Sequence, residues 1–328
     1  MSYARATNIA LEAIPVIDAA PLAAGGGVEA VARELRAAAE GIGFFYVRNH
    51  GIPAELIARV EEVSRRFFAA PAALKAQVAP LDRHRGWLKV GEAKMYAGAR
   101  VDLKESFVWG LDVAADDPDY RAGNRMHGPN RWPDFLPEMR PTLNAYFAAA
   151  QDCGRRLLGA FATSLGVPAG YFNARFHKPV TRGTLLYYPP QPPDAGEEQF
   201  GVAPHTDYGV ITLLHQDANG GLQVRSRSGE WVMAHPIPGT LVINVGDLLS
   251  RWTNDRFQST PHRVVNTSGR ERYSIAVFLD PDYDTPIVPV TLDGERSRYP
   301  AVGCGEYILS RFDKSFAYRT KAEPAPPG

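Results

Sequence analysis

The stretch VAPHTDYGVITLLHQD, residues 202–217, sets an imidazole and a carboxylate, His205 and Asp207, two apart at the head of an apolar run. On an extended backbone residues i and i+2 point to the same face, so the two side chains project together. Taken alone the tripeptide is a polar turn, with Asp207 accepting from a backbone amide. His262 changes that reading. It lies 55 positions after Asp207, in STPHRVV, with strand-forming residues on both sides. A jelly roll brings a late strand beside an early one, so the three side chains can share a face. Two imidazoles and one carboxylate suit Fe(II) and leave three adjacent coordination positions open. Zinc hydrolytic sites also use two His and a carboxylate, but their usual carrier, H-E-x-x-H on a helix, is missing.

A second pair follows in RYSIAVFLD, where Arg272 and Ser274 are again two apart. A hairpin centred near Gly269 sets Ser274 opposite Val264 and Ala276 opposite His262, bringing Arg272, Ser274 and His262 to one face. An arginine there is a costly buried charge unless an anion meets it. A guanidinium fork beside a hydroxyl suits a carboxylate, supplied by a ligand or, alternatively, by an internal Asp or Glu.

The elements that must position these residues divide in two. In the first half the spacing predicts helices over Val28–Ala39, from Pro53 to Phe67, and from Pro141 to Leu165, with FFYVR as a buried strand between the first two. From Thr184 the period shortens. TLLYY, GVITLLHQ, GLQVR, EWVMAH, TLVINV, STPHRVVN and RYSIAVFLD read as strands separated by Gly, Pro and Asx turns, the pattern of a sandwich, barrel or jelly roll. INVGDLL reads as a tight turn holding Asn244, Gly246 and Asp247. Cys153 falls on the long helix without a His that would activate it.

The chain has 328 residues, 45% hydrophobic, with 36 basic and 36 acidic side chains. It can bury a large core, and its zero net charge gives no reason to expect a nucleic-acid or membrane partner. Two cysteines are too few for a disulfide framework, and no apolar run approaches the roughly 18 residues of a membrane helix. A cytoplasmic protein acting on a small molecule is expected; nothing selects an oligomeric state.

His205-Thr206-Asp207, His262 and Arg272-Tyr273-Ser274 form an HxD…H…RxS pattern, on which the chain resembles the Fe(II)/2-oxoglutarate-dependent dioxygenases. The closer likeness is to the isopenicillin N synthase-like branch and covers nearly the whole chain. IPVIDAAPL and GFFYVRNHGIP near the start, and LLYYPP, GGLQV, NVGDLLSRWTN and FLDP later, resemble that branch's signatures. The resemblance implies a mainly β fold with α: a double-stranded β-helix (jelly roll) core flanked by N-terminal helices. It implies a single domain over 1–328, with a helix-rich part at 1–175, the core and metal site at 176–285, and a C-terminal strand, helix and tail at 286–328. It further implies Fe(II) on His205, Asp207 and His262, with O2 as co-substrate. Arg272, Ser274 and Tyr188 are then expected at the distal carboxylate of 2-oxoglutarate.

The implied chemistry is C–H oxidation of a small organic molecule, hydroxylation or a related outcome, with 2-oxoglutarate decarboxylated to succinate. No acid–base residue is assigned beyond the metal site. Arg85, Trp87 and Phe107 lie in segments that the resemblance puts near the metal and are candidate substrate neighbours; a charged loop beside a core strand is the equal alternative. Phe278 and Phe312 read as core. Leu186 stands where many plant members carry Asn. Isopenicillin N synthase keeps RxS without using 2-oxoglutarate, so an Fe(II) oxidase of that kind is one alternative. A metal-bound jelly-roll binding or sensor protein without turnover is the other.

Overall fold

Apolar residues recurring every three to four positions give helices where expected, over Val28–Glu40, Ala54–Ala69 and Met139–Ser164. The computed structural model describes residues 14–24, 26–80, 83–92, 100–191, 196, 198–292 and 294–315. The tail EPAPPG and parts of GEAKMYAG and PPQPPDAG lie outside them. In chain order the first half contains β1 (Val16–Asp18), α1 (Ala20–Ala23), α2 (Val28–Glu40), β2 (Phe44–Arg48), α3 (Ala54–Ala69), α4 (Ala72–Ala76), β3 (Gly86–Leu88), β4 (Glu105–Gly110), α5 (Pro118–Arg121) and α6 (Met139–Ser164). Then come β5 (Arg182–Tyr188), β6 (Val202–His205), β7 (Ile211–Gln216), β8 (Leu222–Arg225), β9 (Trp231–Met233), β10 (Thr240–Val245), α7 (Asp247–Trp252), β11 (His262–Val264) and β12 (Arg272–Leu279). The chain continues through β13 (Pro286–Ile287), β14 (Val302–Gly303) and α8 (Cys304–Ser315).

Strands β5 to β12 divide between two sheets. β10, β7, β12 and β5 are neighbours in the larger, which β2 and β1 extend at one edge and β4 and β3 at the other; β6, β11, β8 and β9 form the smaller. This is the double-stranded β-helix. Along the larger sheet successive residues alternate between two cores. Leu185, Leu213, Ile243, Ile275 and Val277 point to the helical layer, whereas Leu186, Tyr188, Val242 and Ala276 point inward with Leu222, Val224 and Val264 of the smaller sheet. Both faces are buried, which is why these strands read as continuous apolar runs rather than alternating ones. α6 covers the outer face: Leu143, Phe147, Ala150, Leu157 and Phe161 are buried on it, and it packs against α2, α3, β7 and β12. Pro141 is tolerated because it falls in the first turn, where its missing N–H has no intrahelical partner.

The expected hairpin does not form. β11 pairs with β6 and β8, while β12 pairs with β5 and β7, so Ser274 stands beside Leu186 and Gln216, not Val264. The turn around Gly269 carries the chain from one sheet to the other, and Arg272, Ser274 and His262 meet across the space between sheets. His205 likewise ends β6 of the smaller sheet, and Asp207 lies on the crossing to β7.

Candidate metal centre and adjoining cavities

β6 and β11 are antiparallel neighbours with His205 opposite His262, their ring centroids 4.3 Å apart. Asp207 Oδ1 lies 3.7 Å from Nε2 of each. One ligand atom from each of the three residues falls within 4.8 Å of the others. The donor set fits a metal in its protonation as well as its spacing. His205 Nδ1 is 2.8 Å from the Ala203 carbonyl, and His262 Nδ1 is 3.2 Å from that of Thr260. A carbonyl only accepts, so Nδ1 carries the proton in each ring and Nε2 presents a lone pair. Burial, followed by the neighbouring His262, pushes His205 down to about 3, keeping it neutral. Burial works against the Asp207 carboxylate, but the two imidazoles, Thr212 and Asn244 outweigh it and hold the group below the usual carboxylate range.

Asp207 divides its oxygens. Oδ2 accepts from Thr212 Oγ1 at 2.5 Å and Asn244 Nδ2 at 2.8 Å, leaving Oδ1 aimed at the histidines. Thr212 and Asn244 are direct cross-strand partners on β7 and β10. Asn244 therefore belongs to a strand and not to the tight turn expected of INVGD; its inward phase, shared with Val242, was the signal available in the sequence. The loop behind Asp207 is clamped by α7, whose Asp247 N–H donates to the Asp207 carbonyl at 2.7 Å and Leu248 N–H to that of Gly209 at 2.9 Å. Gly246 permits this approach, since a Cβ there would fall 2.2 Å from the Gly209 carbonyl; Gly209 leaves room for a different neighbour, Asp280, whose Oδ1 a Cβ would meet at 1.9 Å.

One cavity runs from His205, Asp207 and His262 to Arg272, Ser274 and Tyr188 between the sheets. Arg272 is 1% exposed. Its guanidinium donates to the Gly220 carbonyl, to Ser274 Oγ at 3.3 Å and to Gln216 Oε1 at 3.4 Å, and lies 4.7 Å from the centre of the Tyr188 ring. Among the described residues no carboxylate pairs with it. Gly220 and Gln216 escaped the sequence reading because their contribution is a crossing loop and a strand partner.

A second cavity also opens on His205 and Asp207, sharing Lys104 and Phe278 with the first and lined besides by His84, Leu88, Ser106, Val108, Arg182 and Thr184, with Tyr208 and Phe312. Arg85, Trp87 and Phe107 do not line it. Each stands one residue out of phase: Trp87 Nε1 donates to Glu105 at 2.6 Å, Phe107 packs edge-on against Phe67, and an Arg85 Nη2–H reaches the Met126 carbonyl at 2.8 Å. Their neighbours His84, Leu88, Ser106 and Val108 line the cavity instead. Phe278 and Phe312, expected in the core, form part of the wall. Tyr208 lines it as well, its hydroxyl 2.7 Å from Ser315 Oγ of α8. Cys153 is buried as expected, and burial pushes its thiol up to about 11.

Residues 14–135 match the family model described as non-haem dioxygenase in morphine synthesis N-terminal, and residues 183–281 match that of the 2OG-Fe(II) oxygenase superfamily. A 2-oxoglutarate-Fe(II) type oxidoreductase of Emericella nidulans is 35% identical over 317 residues, covering 92% of this chain and 90% of its own. A homoarginine-6-hydroxylase of Oryza sativa subsp. japonica is 34% identical over 330 residues, covering 93% and 98%. The solved structure of a Neurospora crassa protein in complex with alpha-KG and thymine has a TM-score of 0.81 at 30% identity, covering 92% of this chain and 98% of that one.

Proposed function

Because the chain belongs to the 2OG-Fe(II) oxygenase superfamily, we propose that His205, Asp207 and His262 hold its Fe(II) and that Arg272, Ser274 and Tyr188 seat the distal carboxylate of 2-oxoglutarate. The observation that carries this assignment is Arg272: a buried guanidinium that no carboxylate among the described residues pairs with, at the end of a cavity whose other end is His205, Asp207 and His262. When bound, Fe(II) with 2-oxoglutarate and O2 supplies oxidation of a substrate C–H bond coupled to loss of CO2 and formation of succinate. The chain's own residues bind and orient. Thr212 and Asn244 fix which Asp207 oxygen turns inward, the Ala203 and Thr260 carbonyls fix the imidazoles, and the Arg272 fork sets the direction of the co-substrate. Leu186, Leu214, Leu222, Val264 and Ala276 keep the space between dry.

The substrate is read as a small organic molecule entering the second cavity. The signatures from IPVIDAAPL to FLDP support the isopenicillin N synthase-like branch, and α6, packed on both the helical layer and the core strands, supports one domain. Cys153 and Cys304, buried and unpaired, together with the lack of a long apolar helix among the described residues, support a cytoplasmic site of action. Balanced charge supports the exclusion of nucleic acid and membrane as partners.

Adding 2-oxoglutarate to the anaerobic Fe(II) protein is expected to produce a weak visible charge-transfer band, and admitting O2 to yield succinate. A loaded iron site with neither band nor succinate would favour the oxidase or the non-turnover protein and overturn this reading.

A further inference from the structure

Resting on the oxygenase reading, we propose that Lys104 is a second anchor for 2-oxoglutarate, its ammonium meeting the carboxylate beside the keto group while Arg272 takes the distal one. Among the described residues five line both cavities: Lys104, Leu186, His205, Asp207 and Phe278. Two of them are the proposed metal ligands, two are apolar, and Lys104 is the one cation. Arg272, Ser274 and Tyr188 line the cavity between the sheets and not the second one. The ammonium therefore stands where His205 and Asp207 stand, and the guanidinium deeper between the sheets. The chain is built to hold it there. Leu103 N–H donates to the Phe200 carbonyl at 3.0 Å, which lays the segment before β4 beside the start of β6. Asp102, 1% exposed, accepts from the Ala203 N–H at 3.0 Å through Oδ1, and its Oδ2 lies 3.2 Å from Lys104 Nζ. Ala203 in turn presents its carbonyl to His205 Nδ1 at 2.8 Å, and so ties the carboxylate that fixes the ammonium to the imidazole beside it.

The charges match the co-substrate. Among its described lining residues the cavity between the sheets has two cations, Lys104 and Arg272, and one carboxylate, Asp207, which the metal claims. 2-Oxoglutarate is a dianion, and a buried charge without a counter-charge is costly. Arg272 answers the distal carboxylate, and the other carboxylate lies at the metal end, where Leu186 and Phe278 have no donor to give it. Lys104 has. An ammonium carries three N–H groups, and the one that faces Asp102 leaves two. The side chain is 12% exposed, so bulk water does little to satisfy them and a ligand carboxylate does more. Asp102 lines neither cavity and balances the ammonium without facing the ligand. Arg182 makes the contrast: it lines the second cavity and not the first, whereas Lys104 borders the space assigned to 2-oxoglutarate.

The test titrates the visible charge-transfer band of the anaerobic full-length Fe(II) protein with 2-oxoglutarate and with 2-oxopentanoate, which has a methyl group in place of the distal carboxylate. Both are expected to bind, 2-oxopentanoate more weakly. Lys104→Met is expected to weaken both by the same factor, at least about tenfold, the scale of one charge-assisted hydrogen bond, so that their ratio holds. Arg272→Lys is expected to weaken 2-oxoglutarate alone. Asp102→Asn combined with Lys104→Met, which leaves no unpaired carboxylate, should repeat the Lys104→Met result, and Lys104→Arg should recover part of the affinity. Zn(II) affinity, measured by competition, should be unchanged in Lys104→Met. Undiminished binding of 2-oxopentanoate in both variants that lack Lys104 overturns the proposal, as does a loss confined to 2-oxoglutarate, which would move Lys104 to the distal carboxylate. A parallel fall in Zn(II) affinity overturns it too, by making Lys104 a support of His205. A band with 2-oxoglutarate in the unaltered protein but none with 2-oxopentanoate at millimolar concentration overturns the anchor alone. A loaded protein with no band for either acid overturns the oxygenase reading and the proposal with it.

Discussion

Asp207 has its two oxygens committed to different tasks, and the donors on Oδ2 determine how well Oδ1 is aimed. Asn244→Ala leaves Thr212 as the single donor on that oxygen. Metal affinity is expected to fall by about 10- to 100-fold with secondary structure retained, the usual effect of removing an outer hydrogen bond on a ligand; competition titration with Zn(II) measures it, and an unchanged affinity would detach Asn244 from the site. Arg272→Lys keeps the charge but loses the planar fork. The KM for 2-oxoglutarate is expected to rise at least about tenfold, the scale of one charge-assisted hydrogen bond, while Zn(II) affinity holds. Equal KM values would place the co-substrate's carboxylate elsewhere.

At the scale of elements, α7 and the loop after Asp207 form one clamp, made possible by Gly246 where the two meet. Gly246→Ala would press a methyl group into the Gly209 carbonyl, a backbone atom that cannot rotate away. The expected cost is about 1–3 kcal/mol, as for other overpacked sites, with metal affinity falling alongside. Phe161→Ala on α6, fully buried against the outer face of the sheet, should cost more, about 3–5 kcal/mol, yet spare the metal affinity of the folded fraction. Denaturant midpoints and Zn(II) titrations on the two variants separate a clamp from a buttress. If Phe161→Ala weakens metal binding as much as Gly246→Ala does, the clamp has no special role.

For the whole molecule, a metal that binds only the folded chain adds stability by mass action, about 2.7 kcal/mol when present at 100 times its Kd. Chelation is therefore expected to lower Tm and re-addition to restore it. Asp207→Ala should show no metal-dependent shift, and a shift that survives would refute the ligand assignment. What the sequence determined by itself was the chemistry: which side chains carry imidazole, carboxylate and guanidinium, their spacing of two along extended backbone, and the change of period near Thr184. The long helices were legible for the same reason, because a period of three to four residues is a local property. Tertiary structure decided the phase and the partners. Strands buried on both faces carry no inside–outside mark, and a one-residue offset sends every side chain to the other face, so Trp87 and Phe107 turned to the helical layer while Leu88, Ser106 and Val108 took the cavity wall. Pairing is equally non-local. His262 and Arg272 sit ten residues apart, close enough for a hairpin, yet they belong to opposite sheets because β6 and β8 compete for one strand, and β5 and β7 for the other.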